Sequence, residues 1–298
     1  MSERPLAEAV REAAARLQRA GVASARHDAE ALAAHVLGRP LADVRLAVLR
    51  GDDVTLDERF TALVDERCRR VPLQHLTGTA PFRGFDLAVG PGVFVPRPET
   101  EVVAQPAVEE AQRILAEASR SAVVVDLCTG SGAIAIAVAR EVPHAEVHAV
   151  ELDEQALAWA RRNVADLAPR VDLRQGDAAT ACPDLEGVVD VVVSNPPYVP
   201  PDAVPVDPEV RDHDPEVALY GLGVDGLQVP RAVIARAARL LTAGGLLVVE
   251  HADVQQDALL RTLTTSGLWD DVQGHRDLTG RPRYVTARRR TAPPPGDL

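Results

Sequence analysis

The chain contains no lysine, so all of its 32 basic side chains are arginines. Its three cysteines, Cys68, Cys128 and Cys182, stand far apart with no CxxC pair. That spacing indicates neither a disulfide framework nor a zinc site, and no metal is expected. The unpaired thiols suit a reducing cytoplasm. Aromatic residues make up only 3%. No apolar run reaches bilayer length; one of the longest uncharged stretches, Leu127–Ala139, is far too short. The first residues include Glu3, Arg4, Glu8, Arg11 and Glu12 before any apolar run, so no secretory signal is expected there. Basic excess is also missing. The net charge is −12, a poor match to a phosphate backbone, so nucleic acid and membrane are not expected partners.

What is present is a globular composition, 46% hydrophobic and 26% charged over 298 residues, enough for one large or two modest domains. Residues 1–70 carry helical periodicity. Leu6, Val10, Ala13, Ala14 and Leu17 form one stripe, ending at Gly21. Ala29, Leu32, Ala33, Val36 and Leu37 form a second, ending at Gly38 and Pro40. Leu56, Phe60, Leu63 and Val64 form a third, with Thr55 and Glu58 spaced as a capping box. His27, Asp28 and His35 lie in this region and read as surface or cap residues.

Residues 71–100 change character. Gly and Pro recur every few positions and three of the four Phe fall here or just beside it, the pattern of a β-hairpin with loops. Residues 101–290 alternate. Helices are expected at 102–119, 134–140, 154–164, 227–241 and 254–266, and strands at 122–125, 145–150, 171–174, 188–194, 245–250 and 283–288. Apolar strands alternating with helices imply an α/β fold with a parallel sheet covered on both faces. A proline-rich loop from Pro200 to about Gly226 is a candidate lid. Residues 291–298, with three consecutive prolines, are expected to be a disordered tail.

Two constellations carry chemistry. The first is VVVDLCTGSGAIAIAVA, a strand, a glycine turn and a helix. Gly130 and Gly132 permit a tight turn and close ligand approach, and the helix start presents free N–H groups. Glu151 stands nineteen residues beyond Gly132, at the end of the next strand, where a carboxylate can accept from ribose hydroxyls. The spacing Gly130-x-Gly132-x-x-Ala135 also fits a dinucleotide fingerprint. Asp126 before the glycines and Asp177 after the third strand favour a cationic ligand over a pyrophosphate. S-adenosylmethionine therefore fits better than NAD, with Asp177 placed to accept from an adenine amino group.

The second constellation is Asn195-Pro196-Pro197-Tyr198, at the end of the strand DVVVS. The prolines end the ladder at the carboxyl edge of the sheet, where ligands bind. The Asn195 side-chain carbonyl and the Pro196 backbone carbonyl can accept both hydrogens of one planar –NH2, and Tyr198 can face the same group. An amide or aniline-like nitrogen is a poor nucleophile; two acceptors raise its electron density as positive charge develops.

With these motifs in order, the chain resembles the HemK/PrmC protein-(glutamine-N5) methyltransferases acting on peptide chain release factors. The resemblance covers about residues 72–286 and includes PLQHLTG, FVPRPETE, DLCTGSGAIAIA, ELDEQALAWARRN, SNPPYVP, DPEVAL with GVDGL, GGLLVVEHADVQ and DLTGRPR. It implies a class I, Rossmann-like methyltransferase with a seven-stranded, mostly parallel sheet, an N-terminal helical domain and a connecting hairpin. It implies that Cys128, Thr129, Gly130, Ser131 and Gly132 line the methionine part of S-adenosylmethionine and that Glu151 binds its ribose. Asp126, Asp177, Ala178 and Asn195 complete the expected cofactor contacts. Asn195, Pro196, Pro197 and Tyr198 would hold the glutamine amide of the Gly-Gly-Gln loop of class-1 release factors, with Asn195, Pro196 and Tyr198 as the catalytic set. Arg97, Glu99 and Glu101 would lie near the cofactor and substrate entrance, or pair with neighbouring charges.

Two positions depart from many relatives: Cys128 where Gly is common, and Ala178 where an aromatic often follows the acid. Rival activities are methylation of a ribosomal-protein glutamine, methylation of adenine N6 in nucleic acid, and cofactor binding without catalysis. The net acidity counts against the second and the intact Asn-Pro-Pro-Tyr against the third.

Overall fold

A computed structural model describes residues 4–290; the tail expected at 291–298 lies outside them. The chain divides into two compact units. One comprises the chain up to Thr79 with Val89–Pro91 and Pro205–His213; the other comprises Ala80–Ala88, Gly92–Val204 and the chain from Asp214 onward.

In the first unit, β1 (Arg4–Pro5) pairs with β2 (Thr55–Leu56), and the helices are α1 (Leu6–Arg19), α2 (Ala25–Leu37), α3 (Leu41–Arg50), α4 (Glu58–Cys68) and α5 (Leu73–Thr77). The stripes read from the sequence form its core: Leu6, Val10, Leu17, Leu32, Phe60 and Val64 are all buried. Three expectations are corrected. Helix α3 occupies a stretch for which no helix is expected. Thr55 lies in β2, and the cap of α4 is Asp57, whose side chain accepts from the Arg59 N–H. Asp28 is buried rather than on the surface; the Ser24 hydroxyl donates to it and Arg67 pairs with it at 2.8 Å. Arg67 also pairs with Glu209 of the Pro205–His213 segment at 2.6 Å, so part of the expected lid is tied to this unit by an ion pair.

In the second unit, β3 (Thr79–Phe82) and β4 (Phe85–Ala88) form the expected hairpin. Then follow α6 (Pro98–Ala118), β5 (Val123–Leu127), α7 (Ala133–Glu141), β6 (Glu146–Glu151), α8 (Glu154–Leu167), β7 (Asp172–Gln175) and β8 (Val189–Ser194). After α9 (Pro208–His213), which lies in the first unit, come α10 (Glu216–Leu219), α11 (Gln228–Leu240), β9 (Leu241–Glu250), α12 (Gln256–Thr265), β10 (Trp269–Arg276) and β11 (Pro282–Arg289). Helix α6 begins four residues earlier than expected, because Pro98 suits the first helical position and Glu99 and Glu101 suit the positive helix start.

The sheet has seven strands in the order β10-β11-β9-β8-β5-β6-β7. Strands β9, β8, β5, β6 and β7 are parallel, and β11 and β10 run antiparallel at one edge. The strand β10 is not anticipated by the sequence reading. The five parallel strands end at Leu127, Glu151, Gln175, Ser194 and Glu250. Chain order reverses direction across the sheet at β5 and β8, which makes their carboxyl ends the switch point where such folds bind ligands. Among the described residues no helix is long and apolar enough to cross a membrane.

Candidate active site

The glycine turn leaves β5 at the switch point. Asp126 is fully buried, its Oδ2 accepting from the Thr129 hydroxyl at 2.6 Å and the Ala135 N–H at 3.1 Å. It thereby braces the turn onto the start of α7. Its Oδ1 has no hydrogen-bond partner within the protein. Burial, opposed by those two hydrogen bonds and aided by Glu151, pushes its pKa up to about 7. Cys128 takes φ 62°, a left-handed conformation that costs a side-chain-bearing residue roughly 1–2 kcal/mol. Gly130 and Gly132 take φ 58° and 88° without that cost. Burial pushes the Cys128 thiol pKa up, so it stays protonated and unreactive at neutral pH.

Glu151 ends β6 and faces the turn. Its oxygens accept from the backbone N–H groups of Gly130 (2.8 Å) and Asp153 (2.9 Å). Burial raises its pKa despite these bonds. A carboxylate has about four acceptor sites, so two remain for a pair of hydroxyls. Asp177 follows β7, exposed, with Oδ1 accepting from the Ala179 N–H; Ala178 beside it is buried. Three carboxylates therefore surround the turn, two of them with raised pKa, and one buried oxygen is unfilled. That is the set of acceptors for a cationic ligand bearing a vicinal diol, and S-adenosylmethionine fits it.

The turn is held from behind by Asn163, a residue to which the sequence alone assigns no role. Its Oδ1 accepts from the Ala88 N–H at 2.7 Å, and its Nδ2 donates to the carbonyls of Ala88 (3.0 Å) and Ser131 (2.9 Å). One buried amide thus joins α8, the hairpin and the glycine turn.

Asn195–Tyr198 leave β8 next to this turn, since Ser194 stands opposite Leu127 in the parallel ladder. The Asn195 Nδ2 donates to Thr100 Oγ1 at 3.2 Å. Thr100 Oγ1 donates to Glu250 Oε2 at 2.9 Å, and the Tyr198 hydroxyl donates to Glu250 Oε1 at 3.2 Å. The backbone after Asn195 is clasped by the later loop. The N–H groups of Tyr198 and Val199 both donate to the Leu219 carbonyl, and Gly221 N–H donates to Val199. A Cβ on Gly226 would lie 2.3 Å from the Tyr198 carbonyl, so only glycine allows this approach. Gln255 Nε2 donates to the carbonyls of Tyr198 and Asp225 at 2.7 and 2.9 Å. Arg97 lies over the Phe94 ring and pairs with buried Asp214 at 2.6 Å.

Thus the residues expected around the cofactor and the acceptor stand at adjacent strand ends. The sequence alone assigns Thr100, Glu250, Gln255 and Gly226 no role at the site; their roles depend on contacts between residues 28 to 150 positions apart in the chain.

The PrmC N-terminal domain family matches residues 8–78, and the methyltransferase small domain family matches residues 98–207. The chain is 51% identical over 286 residues to a release factor glutamine methyltransferase of Streptomyces coelicolor, covering 94% of this chain and 96% of that one. It is 39% identical to a 4-amino-L-phenylalanine/4-methylamino-L-phenylalanine methyltransferase of Streptomyces pristinaespiralis, covering 89% of each. A solved structure of a release-factor-specific protein-(glutamine-N5) methyltransferase from Alicyclobacillus acidocaldarius is 27% identical, with a TM-score of 0.41, covering 69% of this chain and all of that one.

Proposed function

This chain belongs to the release factor glutamine methyltransferase family, and from that premise we propose that it methylates the side-chain amide nitrogen (N5) of the Gly-Gly-Gln glutamine in class-1 peptide chain release factors. S-adenosylmethionine supplies an electrophilic methyl group on a sulfonium. The observation that carries the reading is the placement of Asn195-Pro196-Pro197-Tyr198 one residue beyond the Ser194–Leu127 register pair, beside the cofactor turn.

In this reading Cys128–Gly132 hold the methionine part, Glu151 the ribose hydroxyls, and Asp177 with Ala178 the adenine. Asn195 Oδ1 and the Pro196 carbonyl each accept one hydrogen of the glutamine amide, and the Tyr198 ring faces its plane. Two acceptors on the hydrogens turn the lone pair toward the methyl group and stabilise the charge that develops on nitrogen. Alignment of this kind is worth on the order of 7–11 kcal/mol in favourable cases. No strong base is required, because the proton becomes acidic as the nitrogen is alkylated. The half-buried Tyr198 phenol has its pKa raised by desolvation and by Glu250, so it stays neutral as a hydrogen-bond donor. The partner is a protein in the cytoplasm rather than nucleic acid, in keeping with the net charge of −12.

The test uses methyl-labelled S-adenosylmethionine with an intact release factor, the same factor with the Gly-Gly-Gln glutamine changed to alanine, and free 4-amino-L-phenylalanine. Asn195→Ala enzyme runs in parallel. Label on the intact factor only, lost with Asn195→Ala, is the expected result. Label on both factors, or on the free aromatic amine alone, sinks the reading.

A further inference from the structure

Glu250 is buried to 2% exposure at the end of β9, where an isolated carboxylate is costly. Its oxygens are taken by two hydroxyls, those of Thr100 and Tyr198, while neighbouring Arg283 turns its fork to Asp277 at 3.0 and 3.1 Å. In its ionised form, the one that supports transfer in this arrangement, Glu250 can only accept. The Thr100 proton is therefore committed to Glu250, and Thr100 Oγ1 is left as an acceptor toward Asn195. The Asn195 side chain must then present its –NH2 to Thr100 and its carbonyl oxygen to the other side. Without this chain of donors the amide has two nearly isosteric orientations, and the reversed one offers hydrogens where the substrate nitrogen needs an acceptor.

We propose that Thr100 and Glu250 are positioning residues that fix the Asn195 amide with its oxygen toward the substrate nitrogen, Glu250 holding the Tyr198 ring through the same carboxylate. This rests on the glutamine-methylation reading and deepens it. The single carboxylate orders both side chains of the acceptor clamp from strand β9 and helix α6. Neither residue touches the substrate in this arrangement; both act through Asn195 and Tyr198.

The test compares wild type with Thr100→Val, Thr100→Ser and Glu250→Gln. Methyl transfer to the release factor gives kcat, and cofactor affinity is measured by calorimetry. Side-chain amide NMR of the cofactor-bound protein, assigned with Asn195→Asp, reports the amide directly. Thr100→Val is expected to lower kcat about a hundredfold, the scale of a misaligned reacting group, with cofactor affinity unchanged within about twofold. Its Asn195 amide signal shifts or splits. Thr100→Ser, which keeps the hydroxyl, restores kcat to within about fivefold and restores the signal; Glu250→Gln lowers kcat at least about tenfold. Thr100→Val with wild-type kcat, or an Asn195 signal that is the same in wild type and Thr100→Val, overturns the proposal. So does an equal loss in Val and Ser, which would mean packing alone. A wild type that binds cofactor but leaves the release factor unlabelled defeats the glutamine reading, and the NMR comparison still decides the orientation. Should Thr100→Val fail to bind cofactor, Glu250→Gln decides, and wild-type kcat there overturns the proposal.

Discussion

Ser194 donates its hydroxyl to the Leu127 carbonyl at 2.6 Å, tying the last residues of β8 and β5 together where the Asn195–Tyr198 tetrapeptide and the glycine turn diverge. Ser194 is fully buried. The bond fixes the spacing of the two halves of the site to backbone precision. Ser194→Ala should cost about 1 kcal/mol in chemical denaturation, as one buried hydrogen bond does. It should also lower kcat more than it weakens cofactor affinity. A variant as active as wild type would mean that the parallel ladder alone sets the spacing.

Asn163 makes three hydrogen bonds that satisfy the hairpin and the glycine turn at once. Asn163→Ala leaves one N–H and two carbonyls without that partner in a buried region, a loss of roughly 2–4 kcal/mol. Because Ser131 lies in the glycine turn proposed to hold the cofactor, S-adenosylmethionine affinity should fall as well. Urea unfolding and calorimetric titration check the two effects separately, and an unchanged affinity would confine Asn163 to a structural role.

Cys128 holds a left-handed backbone conformation and a protonated, half-buried thiol. Cys128→Gly relieves strain of roughly 1–2 kcal/mol and loses part of it to the extra freedom of glycine in the unfolded chain, about 0.4–1 kcal/mol. Stability within about 1 kcal/mol of wild type and full methyl transfer are expected. Cys128→Val, β-branched at positive φ, should be clearly less stable. Loss of transfer in Cys128→Gly would assign the thiol a role that its burial argues against.

Asp126 and Glu250 both have pKa values pushed up to about 7, in each case chiefly by burial. For Glu250, Thr100, Arg283 and Tyr198 oppose the shift and Glu99 adds to it. An unfolded carboxyl releases its proton near pH 4. Between about pH 4 and 7 the folded state thus holds protons that the unfolded state has lost, so these two groups make the cofactor-free protein less stable as pH rises through that window. Denaturation at intervals from pH 5 to 8 measures the slope. A cationic cofactor favours ionised Asp126, so binding should tighten with pH through about 7 and release protons, seen as a buffer-dependent heat. At saturating cofactor, kcat should rise through about pH 7 as Glu250 ionises, and Glu250→Gln should abolish that limb. Flat affinity and flat kcat across this range would contradict both assignments.

The sequence by itself determined the chain's two kinds of architecture, the order of the parallel strands' helices, and the two motifs at the strand ends. Each of these is written in contiguous residues: valine-rich runs for β5 and β8, helical stripes for α1 and α2, glycines and prolines at the turns. It failed where the local pattern is weak. Helix α3 buries only Val44 and Ala47, so its stripe is thin. Strand β10 is an edge strand that buries only Trp269 and carries charges along the rest, as edges do, so no alternation marks it. The start of α6 was hidden because a proline reads as a break until its neighbours show it at the first helical position.

Only the tertiary structure decided which carboxylates act together. Glu250 and Thr100 are 150 positions apart, and each alone is an ordinary strand or helix residue. Burial raises the pKa of Glu250, and the fold delivers it to the Thr100 and Tyr198 hydroxyls, the first of which meets the Asn195 amide. Hydrogen-bond direction, which fixes the orientation of an amide, depends on what surrounds it in three dimensions, and no spacing in the chain encodes it.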